Sequence, residues 1–260
     1  MDNKEKTAAI RRPMIQALIV IAVFYAIEIA LVYLNVFPDN NVLLCVDIAL
    51  RIIGGITALR LMKRPLKPLF TNKLTPKIWL TVVPFLIYIA LPQVKIFYAD
   101  VYVPGNIPLL IIPIIQQFAT GFFEESYGRG LFMDGLIRYN TATVKQRLFT
   151  VAVTGAFFGL MHFPNIAFGE NPLVQVPSCA VWGFFIASVF MLSDNLLLVM
   201  LLHAFSDITP RIAKGLFGWT TNPSALQVIE NARTVFEFII LPLAAVIICI
   251  KYDELRKRHQ

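Results

Sequence analysis

Apolar residues run through this chain in eight long stretches separated by short polar segments, at roughly 14–37, 41–62, 78–98, 113–137, 147–163, 173–193, 195–210 and 234–250. A helix crossing the hydrocarbon core of a bilayer needs about 20 mostly apolar residues. The pattern therefore predicts an all-α, polytopic membrane helical bundle of about eight transmembrane helices. The first stretch is too long for the apolar region of a signal peptide, carries Glu28 and lacks a small-x-small cleavage site, so it is expected to remain as a span. Pro104, Pro108 and Pro113 crowd the entry to the fourth stretch and predict a broken or re-entrant piece ahead of it. The segment 211–233, with Gly215, Gly218, Trp219 and Pro223, predicts a loop or an interfacial stretch. There is no sustained repeat, low-complexity tract or domain-sized soluble loop. Residues 1–260 read as a single integral membrane domain, its chemistry concentrated at about 113–210.

Composition narrows the function classes. Hydrophobic residues make up 57% of the chain and charged residues 15%, with a mean hydropathy of +0.69, whereas soluble domains carry about 25% charged residues. A soluble enzyme, a disordered chain and a collagen-like chain are excluded. The net charge of +7 does not point to nucleic acid, because the Lys and Arg residues sit in short segments between apolar runs, the footprint of topology. Seventeen of them fall on the side of the N-terminus, in the first twelve residues and at 60–77, 138–147 and 251–258. Four, Lys95, Arg211, Lys214 and Arg233, fall on the other side. This asymmetry predicts both termini in the cytoplasm and an even number of spans. Cys45, Cys179 and Cys249 each lie in an apolar run with no Cys-x-x-Cys pair and read as small buried hydrophobes.

Charged side chains inside spans are costly, roughly 2.5–3.5 kcal/mol each on insertion scales, and default to a functional hypothesis. Two groups stand out. Glu28 in the first span and Asp47 with Arg51 in the second read as a structural intramembrane ion pair, to which no chemistry is assigned. The second group is denser. Span four holds Glu124, Glu125 and Arg129; span five ends on Phe158 and His162; span seven carries His203 and Asp207. His259, in the basic tail, reads as solvated.

Helix rise brings this second group to one depth. From the shared loop near 139–146, Glu124 lies about 21 Å up one helix and His162 about 22 Å up the next, while Asp207 lies about 20 Å beyond Asp194. In a low-dielectric layer two neighbouring carboxylates do not ionise together cheaply, and Arg129, four residues after Glu125, holds one of them charged. Glu125 is thus expected to pair with Arg129 as scaffold, leaving Glu124, about 100° around the helix, as a general base for water. His162 would share or orient that water, His203 would donate to a developing oxyanion, and Asp207 would hold the His203 ring. The same Glu, His, His and Asp are acceptable zinc ligands, although no His-Glu-x-x-His pair is present. A polar network that only specifies helix packing, or that lines a transporter's proton path, accounts equally for the residues alone.

Taken in order, Glu-Glu-x-x-x-Arg (Glu124, Glu125, Arg129), Phe-x-x-x-His (Phe158, His162) and His-x-x-x-Asp (His203, Asp207) resemble the motifs of the type II CAAX prenyl endopeptidase family. That family belongs to the CAAX protease and bacteriocin-processing superfamily of intramembrane proteases. The resemblance implies an all-helical membrane endopeptidase in which Glu124 and His162 activate water. His203 and Asp207 would stabilise the oxyanion, with Glu125, Arg129 and Phe158 in support. It departs from the family at Gly128, where many members place an aromatic residue, and at Asp207, where Asn is commoner. An ionised Asp cannot donate to an oxyanion, so Asp207 would be protonated, would orient His203, or would bind a metal.

The expectation is a metal-free, CAAX-protease-like enzyme acting on a membrane-associated peptide or protein, with or without a lipid modification, in a prokaryotic cell membrane, with no nucleic-acid partner. The alternatives kept beside it are a zinc enzyme with Glu124, His162, His203 and Asp207 as ligands, and a non-catalytic membrane partner in bacteriocin self-immunity or sensor-kinase regulation.

Overall fold

A computed structural model of the chain describes residues 3–37, 39–98, 107–217 and 222–257. Each predicted apolar stretch is helical there, and no strand occurs among the described residues. The helices are α1 (Asn3–Tyr33), α2 (Asn40–Leu61), α3 (Leu66–Thr71), α4 (Pro76–Ala90), α5 (Ile107–Glu125), α6 (Met133–Tyr139), α7 (Val144–Leu160), α8 (Pro172–Ser193), α9 (Leu196–Phe217), α10 (Pro223–Val235) and α11 (Leu241–Arg256). Two π-helical segments weld neighbours into continuous rods: Ser126–Phe132 joins α5 to α6, and Phe236–Ile240 joins α10 to α11. Short 3-10 segments, Leu91–Tyr98 and Phe163–Phe168, follow α4 and α7.

Among the described residues, six helical segments are long and apolar enough to cross a membrane: Lys4–Tyr33, Asn40–Leu61, Pro76–Val94, Val144–Phe168, Pro172–Ser193 and Leu226–Arg256. Leu196–Thr209 is a shorter apolar helix. The protein is an integral membrane helical bundle.

Local chemistry sets the helix ends. The Asp39 side chain accepts the N–H groups of Asn41 and Val42 at the start of α2, a Thr143–Gln146 capping box opens α7, and Asn171 caps α8. Asp194 ends α8 in the left-handed region (φ 48°), which Asp tolerates better than most residues.

Three expectations change. Pro108 sits in the first turn of α5, where its missing N–H has no helical partner to lose, so it starts the helix rather than breaking it. Pro104 lies outside the described residues, as do Gly218, Trp219 and His259. Most of the segment 211–233 is helical rather than looped: α9 runs on to Phe217, and Pro223 opens α10 with Asn222 Oδ1 accepting the Ser224 N–H at 3.1 Å. A proline that reads as a breaker within a run is a start signal in a first turn. Finally, Cys249 is buried and Cys179 half-buried, but Cys45 is exposed, because an apolar run in a bilayer has a lipid-facing side as well as an inner one.

The core forms around α8, whose Phe185, Ile186, Ala187, Val189 and Phe190 have no exposure. α7 packs antiparallel along it, and α5 lies between α2 and α9. Small residues permit these approaches. A Cβ on Gly159 would come within 2.5 Å of the Val176 carbonyl oxygen, and one on Gly121 within 2.8 Å of that of Met200. Gly121 thereby draws α5 onto the part of α9 that carries His203.

Ion pairs gather the basic segments at one end. Arg64 meets Asp194 at 2.5 Å and Asp134 at 3.5 Å, Arg138 meets Asp134 at 2.9 Å, and Arg147 meets Asp253 at 2.9 Å.

Candidate active site

Glu124 and Glu125 are the last two residues of α5, where the helix widens into the π-helical segment Ser126–Phe132. Such wide turns inside α-helices occur frequently at functional sites. About 100° of rotation separates adjacent residues, and the two carboxylates meet different partners.

Glu125 is fully buried. Its Oε1 accepts hydrogen bonds from Arg129 Nη1 at 2.9 Å and from His203 Nδ1 at 2.8 Å. Arg129, also without exposure, donates from Nη2 to the Gly183 carbonyl at 3.2 Å. Its guanidinium carbon stands 4.2 Å from the centre of the Phe158 ring and 5.5 Å from that of Trp182. Charge pairing and two aromatic faces thus replace part of the solvation that a buried guanidinium gives up, while its Nε has no hydrogen-bond partner among the described residues.

Glu124 faces the other way. Its Oε2 lies 3.6 Å from His162 Nε2 and 3.8 Å from His203 Nε2, and it makes no hydrogen bond among the described residues. These separations are too long for direct hydrogen bonds. His162 lies just past α7 and contacts the Phe158 carbonyl oxygen through Nδ1 at 2.7 Å. A carbonyl only accepts, so Nδ1 carries the hydrogen and the neutral ring presents the Nε2 lone pair toward Glu124. Two bases, a carboxylate oxygen and an imidazole nitrogen, therefore face each other at 3.6 Å, and a water seated beside both would donate a hydrogen bond to each.

Phe158 is shared by both halves. Its backbone fixes the His162 ring, its own ring lies under Arg129, and its centroid is 4.7 Å from that of His162 and 5.9 Å from that of His203.

Glu124, His162, His203 and Asp207 thus come together from three separate helical segments, with Glu125, Arg129 and Phe158 beneath them. One partner is added to the expectation. The ring of His203 is contacted on both nitrogens: Glu125 Oε1 holds Nδ1 at 2.8 Å, and Asp207 Oδ2 stands on the opposite, Nε2 side at 3.6 Å, with its side chain 36% exposed. Adjacent helical positions one turn apart share a face, but Glu125 reaches His203 across the α5–α9 contact, which spacing within one helix does not reveal.

Three participants escape sequence reasoning. Trp182 stacks edge-on against His203 with ring centres 4.7 Å apart, and Gly183 supplies the carbonyl for Arg129. Both lie in an apolar run with nothing to mark them. Arg51, set aside above as part of a structural pair, places Nη1 3.8 Å from Glu124 Oε1. Its unpaired-looking excess of acid, two carboxylates to one arginine, was the available signal.

Among the four candidate ligands, the Glu124–His162, Glu124–His203 and His203–Asp207 separations are 3.6, 3.8 and 3.6 Å, beside about 3.3 Å between ligand atoms that share a tetrahedral zinc. Among the described residues no group of three His, Cys, Asp or Glu is arranged to hold a metal ion.

Residues 106–209 match the family model described as type II CAAX prenyl endopeptidase Rce1-like. The match spans α5 through most of α9 and contains every residue of the cluster except Arg51. No curated protein and no solved structure matches the chain.

Proposed function

We propose that this protein is an intramembrane endopeptidase of the CAAX-protease type that hydrolyses a peptide bond with a water activated by Glu124 and His162, without a metal. The observation that carries the reading is the unbonded, buried Glu124 Oε2 set 3.6 Å from one imidazole and 3.8 Å from another. The match over residues 106–209 supports the reaction class.

In this reading Glu124 takes a proton from the water as the water oxygen attacks the carbonyl carbon of the scissile bond. His203, doubly protonated between Glu125 and the pocket, directs Nε2–H at the oxygen that becomes negative. Collapse of the tetrahedral intermediate breaks the C–N bond, and the proton held by Glu124 or His162 passes to the departing amine. Asp207, on the Nε2 side of His203, orients that donor and does not itself donate.

The substrate is membrane-associated. Leu160, Phe163, Ile166, Leu173 and Val174, beside His162 in the chain, are all more than half exposed and form an apolar rim suited to a lipid-embedded or lipid-modified peptide. The basic end bearing Arg64, Arg138 and Arg147 is assigned to the cytoplasm, with both termini, in a prokaryotic cell membrane.

The test is cleavage in proteoliposomes of an internally quenched peptide with a prenylated C-terminal cysteine motif, beside a panel of membrane-anchored peptides read by mass spectrometry. Cleavage by the wild type, its loss in Glu124→Gln and His162→Ala, and resistance to EDTA are expected. Wild-type cleavage in Glu124→Gln, or no cleavage of any peptide by the wild type, overturns the enzymatic reading in favour of a non-catalytic partner. Inactivation by EDTA with rescue by zinc overturns the metal-free part.

A further inference from the structure

We propose that Arg51, on α2 and outside the segment that matches the family, is a positioning residue that fixes Glu124 for catalysis, with Glu28 and Asp47 as its tethers. The proposal rests on the enzymatic reading above and assigns it a part that no motif contains.

The guanidinium gives each of its three nitrogens to a different carboxylate. Nε donates to both Asp47 oxygens at 2.9 Å, Nη2 donates to Glu28 Oε1 at 3.2 Å, and Nη1 stands 3.8 Å from Glu124 Oε1. Asp47 is itself held by Gln116 Nε2 at 2.7 Å, from α5, two turns before Glu124. The Phe24 ring of α1 covers the guanidinium, with its centre 5.1 Å from the central carbon. Three helices therefore fix the plane of Arg51 independently of Glu124.

The α2–α5 contact sets how near the two come. A Cβ on Gly54 would lie 2.6 Å from the ring of Phe123, and one on Gly55 2.4 Å from that of Phe122. The two residues that precede Glu124 thus ride directly on bare backbone one turn past Arg51. An ion pair serving only to stabilise α1 against α2 needs no such approach, since Asp47 alone balances the charge of Arg51.

The consequence is a division between the two oxygens of Glu124. Oε1 is turned to Arg51, and Oε2 is left for the imidazoles of His162 and His203. A catalytic carboxylate misplaced by about 1 Å loses about 100-fold in rate, so an anchor on the non-reacting oxygen is a functional part. A lysine supplies the charge but not the planar fork that reaches three carboxylates at once.

The experiment measures kcat and KM of the full chain in proteoliposomes on the peptides the wild type cleaves, alongside thermal unfolding of each variant in detergent. Arg51→Gln is expected to lower kcat about 100-fold with KM changed less than about threefold. Arg51→Lys is expected to fall between it and the wild type, about 10-fold down. Should Arg51→Gln not accumulate, Arg51→Lys carries the test. A kcat within about threefold of wild type in either folded variant, while Glu124→Gln is inactive, overturns the proposal and leaves the enzymatic reading standing. So does a rate loss that merely follows the folded fraction. Full cleavage by Glu124→Gln removes both.

Discussion

Two arginines bracket the acidic pair, and they are held in opposite ways. Arg129 lies on the same rod as its partner, has no exposure, and meets one carboxylate, one carbonyl and two aromatic faces. Arg51 comes from another helix and stands among three carboxylates. The first is matched one to one; the second is outnumbered. A matched buried pair fails when either member is removed, because the survivor is left as an uncompensated charge. An outnumbered cation governs where its several partners point. By this contrast Arg129 keeps the His203 platform folded, and Arg51 keeps Glu124 aimed.

The largest effect expected from breaking the contrast is that of Arg129→Met. Leaving the fully buried Glu125 with His203 as its one remaining partner costs up to roughly 3–5 kcal/mol, so the variant unfolds at far lower temperature in detergent and does not cleave. Unfolding close to that of the wild type would erase the distinction between the two arginines. Phe158→Leu removes the face under Arg129 while keeping the backbone carbonyl that holds His162. A destabilisation of roughly 1–3 kcal/mol is expected from the lost ring and contact, with a fall in cleavage by the remaining folded protein. Asp207→Asn tests the other side of His203. Its amide still orients the ring from the Nε2 side, so cleavage within about tenfold of wild type is expected, and complete loss would give Asp207 a role in proton transfer. Lys251→Ala, which breaks an exposed pair with Glu254 at 3.0 Å remote from both clusters, sets the floor: no measurable change in unfolding temperature, with kcat unchanged.

The bundle was legible in the sequence because bilayer thickness sets the length of every apolar run and because intramembrane charges are too costly to be decoration. Helix rise placed Glu124, His162, His203 and Asp207 at one depth. What spacing within one helix did not supply was contact between helices. Glu125 reaching His203, Trp182 edge-on to the same ring, and Arg51 beside Glu124 all depend on which faces meet, and those faces are chosen by Gly121, Gly54 and Gly55 through close approach. The helical course of 211–217 and 223–233 was hidden for a different reason, since glycine and proline carry opposite meanings within and at the start of a helix.

The wide turn at Ser126–Phe132 has a bearing on how such a chain tolerates changes in length. A residue lost from α7 would swing everything beyond it by about 100° around the axis, turning its buried stripe to lipid. One lost from the widened segment closes it toward an ordinary α-helix and leaves the faces of the flanking halves where they are. Single-residue insertions and deletions among related chains are therefore expected to collect there, at the innermost part of the fold, rather than in the loops where they ordinarily accumulate.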